Sequence, residues 1–193
     1  MNPSLDQDEL DFSPDDVTVK ISELLVATAD ESDALIDNSV QEVLHLMRES
    51  MKMDVAFVGE FTEGKRVFRY VDTAPDHAVV AAGDADPLAE TWCQRVVDGR
   101  LPPFIADARN NPASADLERK LPFRIGTFIS TPIVLSGGEI YGTLCCFSSR
   151  PLEDPDQLDL KRLKLTARLA ANKIDRGRAA REPKQVRAGL NNA

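Results

Sequence analysis

The sequence IGTFISTPIVLSGGEIYGTLCCF, residues 125–147, contains two apolar runs separated by Ser136-Gly137-Gly138-Glu139. Each run has the length of a β-strand and is rich in β-branched and aromatic residues, and glycines suit the positive φ angles of a tight turn. The pattern therefore predicts a β-hairpin. Because successive side chains point to opposite faces and both faces are apolar, the hairpin should lie in the middle of a sheet covered on both sides.

Two residues interrupt the apolar pattern of this hairpin. Pro132 cannot donate a ladder hydrogen bond, and Gly142 has no side chain to pack. Such residues inside a strand indicate a β-bulge or a place where another backbone or a ligand comes close. Cys145 and Cys146 are adjacent, so we expect their side chains on opposite faces of the sheet.

The composition is that of an ordinary folded domain. With 193 residues, 42% of them hydrophobic, the chain can bury a substantial core. No apolar run is long enough to span a membrane and the N-terminus lacks a signal-peptide pattern, so we expect a cytoplasmic protein without a membrane partner. The net charge of −9 argues against nucleic-acid binding, and the three cysteines do not suggest a disulfide framework.

The distribution of charge and apolar residues predicts three segments. Residues 1–15 are acidic and are predicted to be a flexible N-terminus, and residues 177–193 are predicted to be a basic flexible tail. Residues 16–176 are predicted to form a single domain with flanking helices. Within it, apolar periodicity and turn signals predict helices at about 17–28, 30–52, 86–99, 113–121 and 156–176, with strands at 55–61, 65–71 and 103–106 besides the central hairpin.

The last of these helices carries more apolar residues than one sheet face can cover. One stripe of apolar residues on this helix would face the sheet, and a second stripe remains beside it. An exposed row of leucines of this kind indicates that another helix or another subunit covers it. We therefore predict a homodimer interface made of this stripe and of the first helix, comprising Val17, Leu24, Leu25, Leu158, Leu165 and Leu169.

The order of these elements, together with several short motifs, resembles that of a GAF domain. The motifs are Ser130-Thr131-Pro132-Ile133, Gly137 and Gly142-Thr143-Leu144, with upstream segments at 54–58, 90–97 and 105–109 that are similar to the usual GAF order. The resemblance implies an α+β fold. It further implies a central antiparallel sheet of five to six strands, with the N- and C-terminal helices on one face and a loop-covered pocket on the other.

GAF domains are sensory modules, so the resemblance also implies a function. It implies a regulatory domain that binds a small molecule or a partner protein and acts through its terminal helices on a separate signalling protein, such as a kinase or a cyclic-di-GMP enzyme. Two alternatives stay open. One is a redox enzyme of the free methionine sulfoxide reductase type, and the other is a pure interaction module without a ligand.

Aromatic residues and a few polar groups are expected to line the pocket, as in many small-molecule sites. Cys93 invites redox, tetrapyrrole or metal roles, although an unpaired cysteine is more commonly buried as a small hydrophobic residue. The chromophore-bearing cysteine of photoreceptor relatives usually lies next to a histidine, whereas Gln94 follows here. The predicted lining is Phe68, Tyr70, Trp92, Cys93, Phe104, Asp107, Phe123, Phe128 and Cys145.

Catalytic and metal-binding motifs are not visible in the sequence. The only histidines are His45 and His77, and neither belongs to a metal-ligand spacing. Glycine-rich phosphate loops and the signature of cyclic-nucleotide-binding GAF domains are also missing. We therefore predict no catalytic residue and no metal site, and the identity of any cofactor stays open.

Overall fold

The computed structural model describes residues 19–20, 23, 33–152 and 157–190. Their centre is a six-stranded sheet in the order β3-β2-β1-β6-β5-β4, in which every neighbouring pair is antiparallel. The predicted α+β fold with an antiparallel sheet is confirmed. The strands are β1 (Val55–Thr62), β2 (Lys65–Thr73), β3 (Ala85–Pro87), β4 (Phe104–Ile105), β5 (Thr127–Val134) and β6 (Ile140–Ser148).

Two long helices cover one face of the sheet, and short elements cover the other. The helices are α1 (Asp33–Ser50), α2 (Trp92–Val97), α3 (Ala115–Glu118) and α4 (Gln157–Leu190), and a 3-10 turn spans Leu88–Glu90. Apolar residues of α1 and α4 pack against the sheet in one core, hereafter the helix-face core. Among the described helices, none combines the length and the apolar character that a membrane crossing requires.

The predicted central hairpin is present, and β6 lies between β1 and β5 in the middle of the sheet. Gly138 in the turn has a φ of +82°, which glycine adopts without strain. The ladder between β5 and β6 is shifted between Ile133 and Val134, directly after Pro132. A Cβ on Gly142 would lie 1.9 Å from the carbonyl oxygen of Gly59 on β1. The bulge and the close backbone approach predicted from Pro132 and Gly142 therefore both occur.

Side chains on β6 alternate between two separate cores. Leu144 and Cys146 belong to the helix-face core. Cys145 and Phe147 belong to a second cluster on the opposite face, hereafter the loop-face core, which also contains Phe57, Phe128 and Trp92. Both faces of the hairpin are therefore buried, as the apolar pattern predicted, and the two adjacent cysteines are separated by the sheet.

The helix predicted at 86–99 begins later than expected. Asp86 is not its N-cap, because Ala85–Pro87 forms an edge strand in which Asp86 pairs with Arg66. Thr91 takes the capping position, and its hydroxyl oxygen accepts a hydrogen bond of 3.1 Å from the backbone N–H of Gln94. Asp86 and Pro87 have the local sequence of a helix start, but their segment pairs with β2 instead. Thr91, five residues after Asp86, caps the helix.

The last helix extends beyond its predicted end. It continues from the predicted limit at Arg176 to Leu190, where a flexible tail was expected. Three alanines and three arginines in residues 177–190 favour a helix, although Pro183 and two glycines disfavour one. Leu169, predicted to lie on the free stripe, packs half-buried against the helix-face core, since α4 lies over both β5 and β6 and buries a wide face.

Leu165 remains exposed, with 37% of its surface accessible. The rest of the predicted dimer stripe, Val17, Leu24, Leu25 and the side chain of Leu158, lies outside the described residues. Of the helix predicted at 17–28, only Val19, Lys20 and Glu23 are described, and all three are helical.

Candidate functional site

A cavity of about 360 Å³ lies on the loop face of the sheet, between β1, β2, β5 and the segment 79–123. Its walls are mostly aromatic and aliphatic side chains, and charged residues are concentrated at its β3 side and rim. The apolar walls include Phe57, Phe68, Trp92, Leu117, Phe123, Phe128 and Phe147, and the polar groups include Arg66, Asp84, Asp86, Glu90, Thr91 and Lys120.

Arg66 is the one strongly buried charge in this wall, with 11% of its side chain exposed. Its guanidinium pairs with the carboxylate of Asp86 and lies 4.3 Å from the ring centroid of Phe68 and 5.3 Å from that of Phe57. These contacts combine an ion pair with two cation–π interactions. Sequence reasoning missed Arg66. The signal was available, since Arg66 and Phe68 are two residues apart in a strand and share a face.

Arg66 also contacts a buried cysteine pair behind the cavity wall. Its Nη1 donates a hydrogen bond of 3.3 Å to Cys93 Sγ, and Cys93 Sγ lies 3.3 Å from Cys145 Sγ. Burial raises the pKa of the Cys93 thiol, but a hydrogen bond from Cys145 and the positive charge of Arg66 outweigh it and lower the pKa to about 6. Burial and the neighbouring Cys93 raise the pKa of Cys145.

Two donors in the cavity wall lack partners within the part of the chain that the structure describes. They are Trp92 Nε1 and Arg66 Nε, and both atoms are buried. An unpaired buried donor costs about 1–3 kcal/mol. A bound molecule whose acceptor oxygen reached either donor would offset this cost.

Charged pairs hold the cover of the cavity in place. Lys120 Nζ lies 2.9 Å from Glu90 Oε1 at the rim. Outside the cavity lining, Arg95 on α2 donates to Asp116 on α3, with Nη2 and Oδ2 2.5 Å apart, and to the carbonyl oxygen of Ala113. The hydrogen bond from Arg95 lowers the pKa of Asp116 to about 2. The cover is therefore positioned by side-chain pairs as well as by packing.

Four of the residues predicted to line the pocket, namely Phe68, Trp92, Phe123 and Phe128, lie in the cavity wall. Cys93 and Cys145 lie behind Arg66 and are completely buried. Asp107 lies in the loop after β4, where its carboxylate accepts from Arg109 Nε at 3.0 Å.

The remaining two, Tyr70 and Phe104, pack against the helix-face core instead. Phe104 is paired with Ile129, which faces the helices. Tyr70 should share the face of Phe68 by simple alternation, but the ladder pairs Val58 with Tyr70 and Gly59 with Phe68, so Arg69 is an extra residue. A bulge of this kind reverses the alternation beyond it.

A serine, a histidine and an aspartate also meet outside the cavity. Ser149 Oγ donates to Asp54 Oδ2 at 2.7 Å, and His77 Nε2 lies 3.5 Å from the same oxygen. In a catalytic triad the serine donates to histidine, and the aspartate holds the other ring nitrogen. Here Ser149 Oγ lies 3.4 Å from His77 Nε2, but Asp54 contacts that same nitrogen and not Nδ1. The arrangement therefore differs from a triad, and the cluster joins the loop after β2 to the end of β6. Within the described residues, no cluster of three or more histidine, cysteine or acidic side chains is suited to a metal ion.

Several solved structures share this architecture. The GAF domain of an Acinetobacter phosphoenolpyruvate-protein phosphotransferase aligns with a TM-score of 0.65 at 13% identity, covering 87% of this chain and 97% of that one. The phycoerythrobilin-bound GAF domain of a cyanobacterial phytochrome gives 0.67 at 10% identity, covering 88% and 98%. Free methionine-R-sulfoxide reductase from Neisseria meningitidis, solved with its substrate, gives 0.65 at 14% identity, covering 88% and 96%.

At these identities the likeness establishes the fold alone. No curated protein is significantly similar to the chain in sequence. The family model for the GAF domain, however, matches residues 34–175, which is most of the chain and includes the whole sheet. The chain therefore belongs to the GAF domain family, whose members are typically sensory and regulatory.

Proposed function

We propose that the chain is a sensor whose cavity binds a small, largely apolar or aromatic molecule that carries an acceptor oxygen. The observation that supports this most directly is the unpartnered Nε1 donor of Trp92 in an otherwise aromatic wall. A volume of about 360 Å³ is near the lower end of the range for ligand pockets, which favours a metabolite-sized compound over a large chromophore. Arg66, partly neutralised by Asp86, would add affinity for a carboxylate or another polarised oxygen.

Strand β5 offers a route from the cavity to the terminal helix. Phe128 lines the cavity, and the next residue, Ile129, is in the helix-face core together with Leu163 and Ala167 of α4. A ligand that favours one position of β5 would thereby favour one position of α4, and a ligand with equal affinity for both positions would transmit nothing. We propose that α4 passes this change to a homodimer partner and to a separate signalling protein, such as a kinase or a cyclic-di-GMP enzyme.

The test is a thermal-shift screen of metabolites followed by calorimetry on any hit. Trp92→Phe is the informative variant, because it keeps an aromatic ring but removes the Nε1 donor, and we expect it to weaken binding by about tenfold, the equivalent of one hydrogen bond. Tyr70→Phe serves as the matched control, since Tyr70 is on the other face of the sheet. A hit that binds wild type and Trp92→Phe equally would contradict the proposed site. If no compound binds, the interaction-module alternative becomes preferable.

We also propose that the cavity binds its ligand without transforming it. The support is that Cys93 and Cys145 are not among the described side chains that line the cavity, where a ligand would lie, and that the hydroxyl of Ser149 donates to Asp54. A methionine sulfoxide reduction assay is the direct test. Turnover by the wild type that disappears in Cys93→Ser would instead establish the enzyme alternative.

A further inference from the structure

The two cysteines behind Arg66 are placed for chemistry with each other. Their sulfur atoms are 3.3 Å apart, whereas a disulfide bond is about 2.0 Å long, so the sulfurs need to approach by only about 1.3 Å. The residues come from different elements, α2 and β6, which the loop-face core holds together. We propose that Cys93 and Cys145 form a reversible redox pair that a hydroperoxide oxidises to a disulfide.

The surroundings assign different roles to the two thiols. Arg66 Nη1 donates to Cys93 Sγ at 3.3 Å, so a permanent positive charge stabilises the thiolate form of Cys93. Cys145 has hydroxyl neighbours instead, with Ser130 Oγ at 3.0 Å and Thr143 Oγ1 at 3.2 Å. Because the thiolate is the attacking species, Cys93 is the residue that meets the peroxide and Cys145 is the residue that resolves the product.

The reaction has two steps. The Cys93 thiolate attacks one peroxide oxygen, the O–O bond breaks, and the leaving hydroxide or alkoxide takes up a proton, which leaves a sulfenic acid on Cys93. The Cys145 sulfur then attacks Cys93 Sγ and the S–O bond breaks. The departing hydroxide leaves as water with the proton of Cys145. The two sulfurs lose two electrons in total to the peroxide, and an external thiol reductant restores both thiols by exchange.

The structure also restricts which thiol and which oxidant take part. Arg66 lines the cavity and contacts Cys93, so the thiol is one side chain away from the cavity and is reached by a small hydroperoxide more readily than by a bulky disulfide. Cys146 lies on the opposite face of the sheet, in the helix-face core. Burial and the charge of Asp159 raise its pKa. Cys146 is therefore an internal control that should stay reduced.

The experiment measures the intact mass of the reduced full-length chain after treatment with hydrogen peroxide. We expect wild type and Cys146→Ser to lose the mass of two hydrogen atoms and to recover it after dithiothreitol. Cys93→Ser should show no such loss, and Cys145→Ser should gain an oxygen atom on Cys93 instead. The Cys146→Ser variant is also needed for assignment, because Cys145 and Cys146 are adjacent and fall in one proteolytic peptide.

A further variant tests the role of Arg66. Arg66→Gln keeps a polar side chain but removes the charge, and we expect disulfide formation near neutral pH to slow by about tenfold, because the thiolate fraction of Cys93 falls. Three results would overturn the proposal: oxygen gain in wild type without disulfide formation, a disulfide that includes Cys146, or an unchanged rate in a folded Arg66→Gln. The wild type and Cys146→Ser measurements decide the first two even if the other variants do not fold. Ligand binding plays no part in this test, so its outcome is independent of the sensor proposal.

Discussion

Arg66 Nη1 lies 3.3 Å from Cys93 Sγ, and this hydrogen bond connects the wall of the cavity to the buried thiol pair. The same guanidinium pairs with Asp86 at the edge strand and covers the ring of Phe68. The side chain of Arg66 therefore contacts the aromatic cavity wall, the carboxylate of Asp86 and the thiol of Cys93 at once. A substitution at one of these three contacts should alter the position of the guanidinium, and thereby the other two contacts.

The first prediction concerns the ionisation of Cys93 in Arg66→Gln. The charged and titratable groups that face this thiol are Arg66, Asp86 behind the guanidinium, and Cys145. Burial raises the pKa of Cys93, whereas the hydrogen bond from Cys145 and the charge of Arg66 lower it, so loss of the charge should raise the pKa above its value of about 6. Thiolate absorbance followed against pH, in a Cys146→Ser background, measures the midpoint. A midpoint that stays near that of the parent would show that Arg66 does not control the thiol.

The second prediction concerns Asp54 and the stability of the fold toward acid. Its carboxylate accepts from Ser149 N and Ser149 Oγ, each at 2.7 Å. Burial raises the pKa of Asp54, but these hydrogen bonds and the nearby His77 outweigh it and lower the pKa below 3.8. A carboxyl with a lowered pKa stabilises the fold above its unfolded pKa, and the contribution is lost as the pH falls through its folded pKa.

Asp54→Ala should therefore lower the free energy of unfolding at neutral pH by about 1–3 kcal/mol, since it leaves the Ser149 donors without their acceptor. The difference from wild type should shrink below about pH 4. Denaturant unfolding at several pH values measures both effects. Asp107→Ala is the matched control, because Asp107 is a half-exposed loop carboxylate, and its stability should stay close to that of wild type.

Much of the fold was readable from local sequence, because it depends on patterns within single elements. The two apolar runs in residues 125–147, with apolar side chains alternating onto both faces, predicted a hairpin covered on both sides. Pro132 and Gly142 indicated a bulge or a close backbone contact, and the structure has both. The edge strand at 85–87 was missed for the opposite reason. Its pairing with β2 is a tertiary interaction, while Asp86 and Pro87 have the local character of a helix start.

The site was less accessible to sequence reasoning, because its geometry depends on long-range register. The extra residue Arg69 turns Tyr70 away from the cavity, and nothing local to the strand indicates where the ladder shifts. Cys93 and Cys145 were both predicted for the pocket, yet their direct contact across 52 positions follows only from the packing of α2 on the sheet. Arg66 could have been suggested by its alternation with Phe68, but an arginine in a strand is more often exposed.

The third prediction compares two glycines in the central hairpin. Gly142→Ala would place a Cβ 1.9 Å from the carbonyl oxygen of Gly59, which is backbone in the middle of the sheet and cannot move without disturbing β1. We expect a loss of about 3 kcal/mol or more in the free energy of unfolding. Gly137→Ala is the control, because among the described residues, its chain neighbours aside, no atom lies within 4 Å of its added Cβ. Equal stability of the two variants in denaturant melts would contradict the close approach of β1 and β6.

The last prediction concerns the proposed homodimer and the exposed part of α4. Leu165 has 37% of its surface accessible, whereas the other leucines of α4 whose side chains are described, Leu160, Leu163 and Leu169, are buried or half-buried. An exposed large apolar residue on such a helix is what a helix–helix interface would cover. If α4 pairs with its counterpart, Leu165→Glu places two carboxylates in one apolar seam. We expect the dissociation constant of the dimer, measured by sedimentation equilibrium, to rise by at least about tenfold. The reason is that burying a charge without a partner is unfavourable. Lys164→Gln, an exposed change on the same turn, lowers the net charge by the same one unit as Leu165→Glu without adding a charge to the seam, and it should leave the dimer largely intact. A wild type that is monomeric at tens of micromolar, or a dimer that both variants affect equally, would mean that α4 transmits its signal without self-association through Leu165.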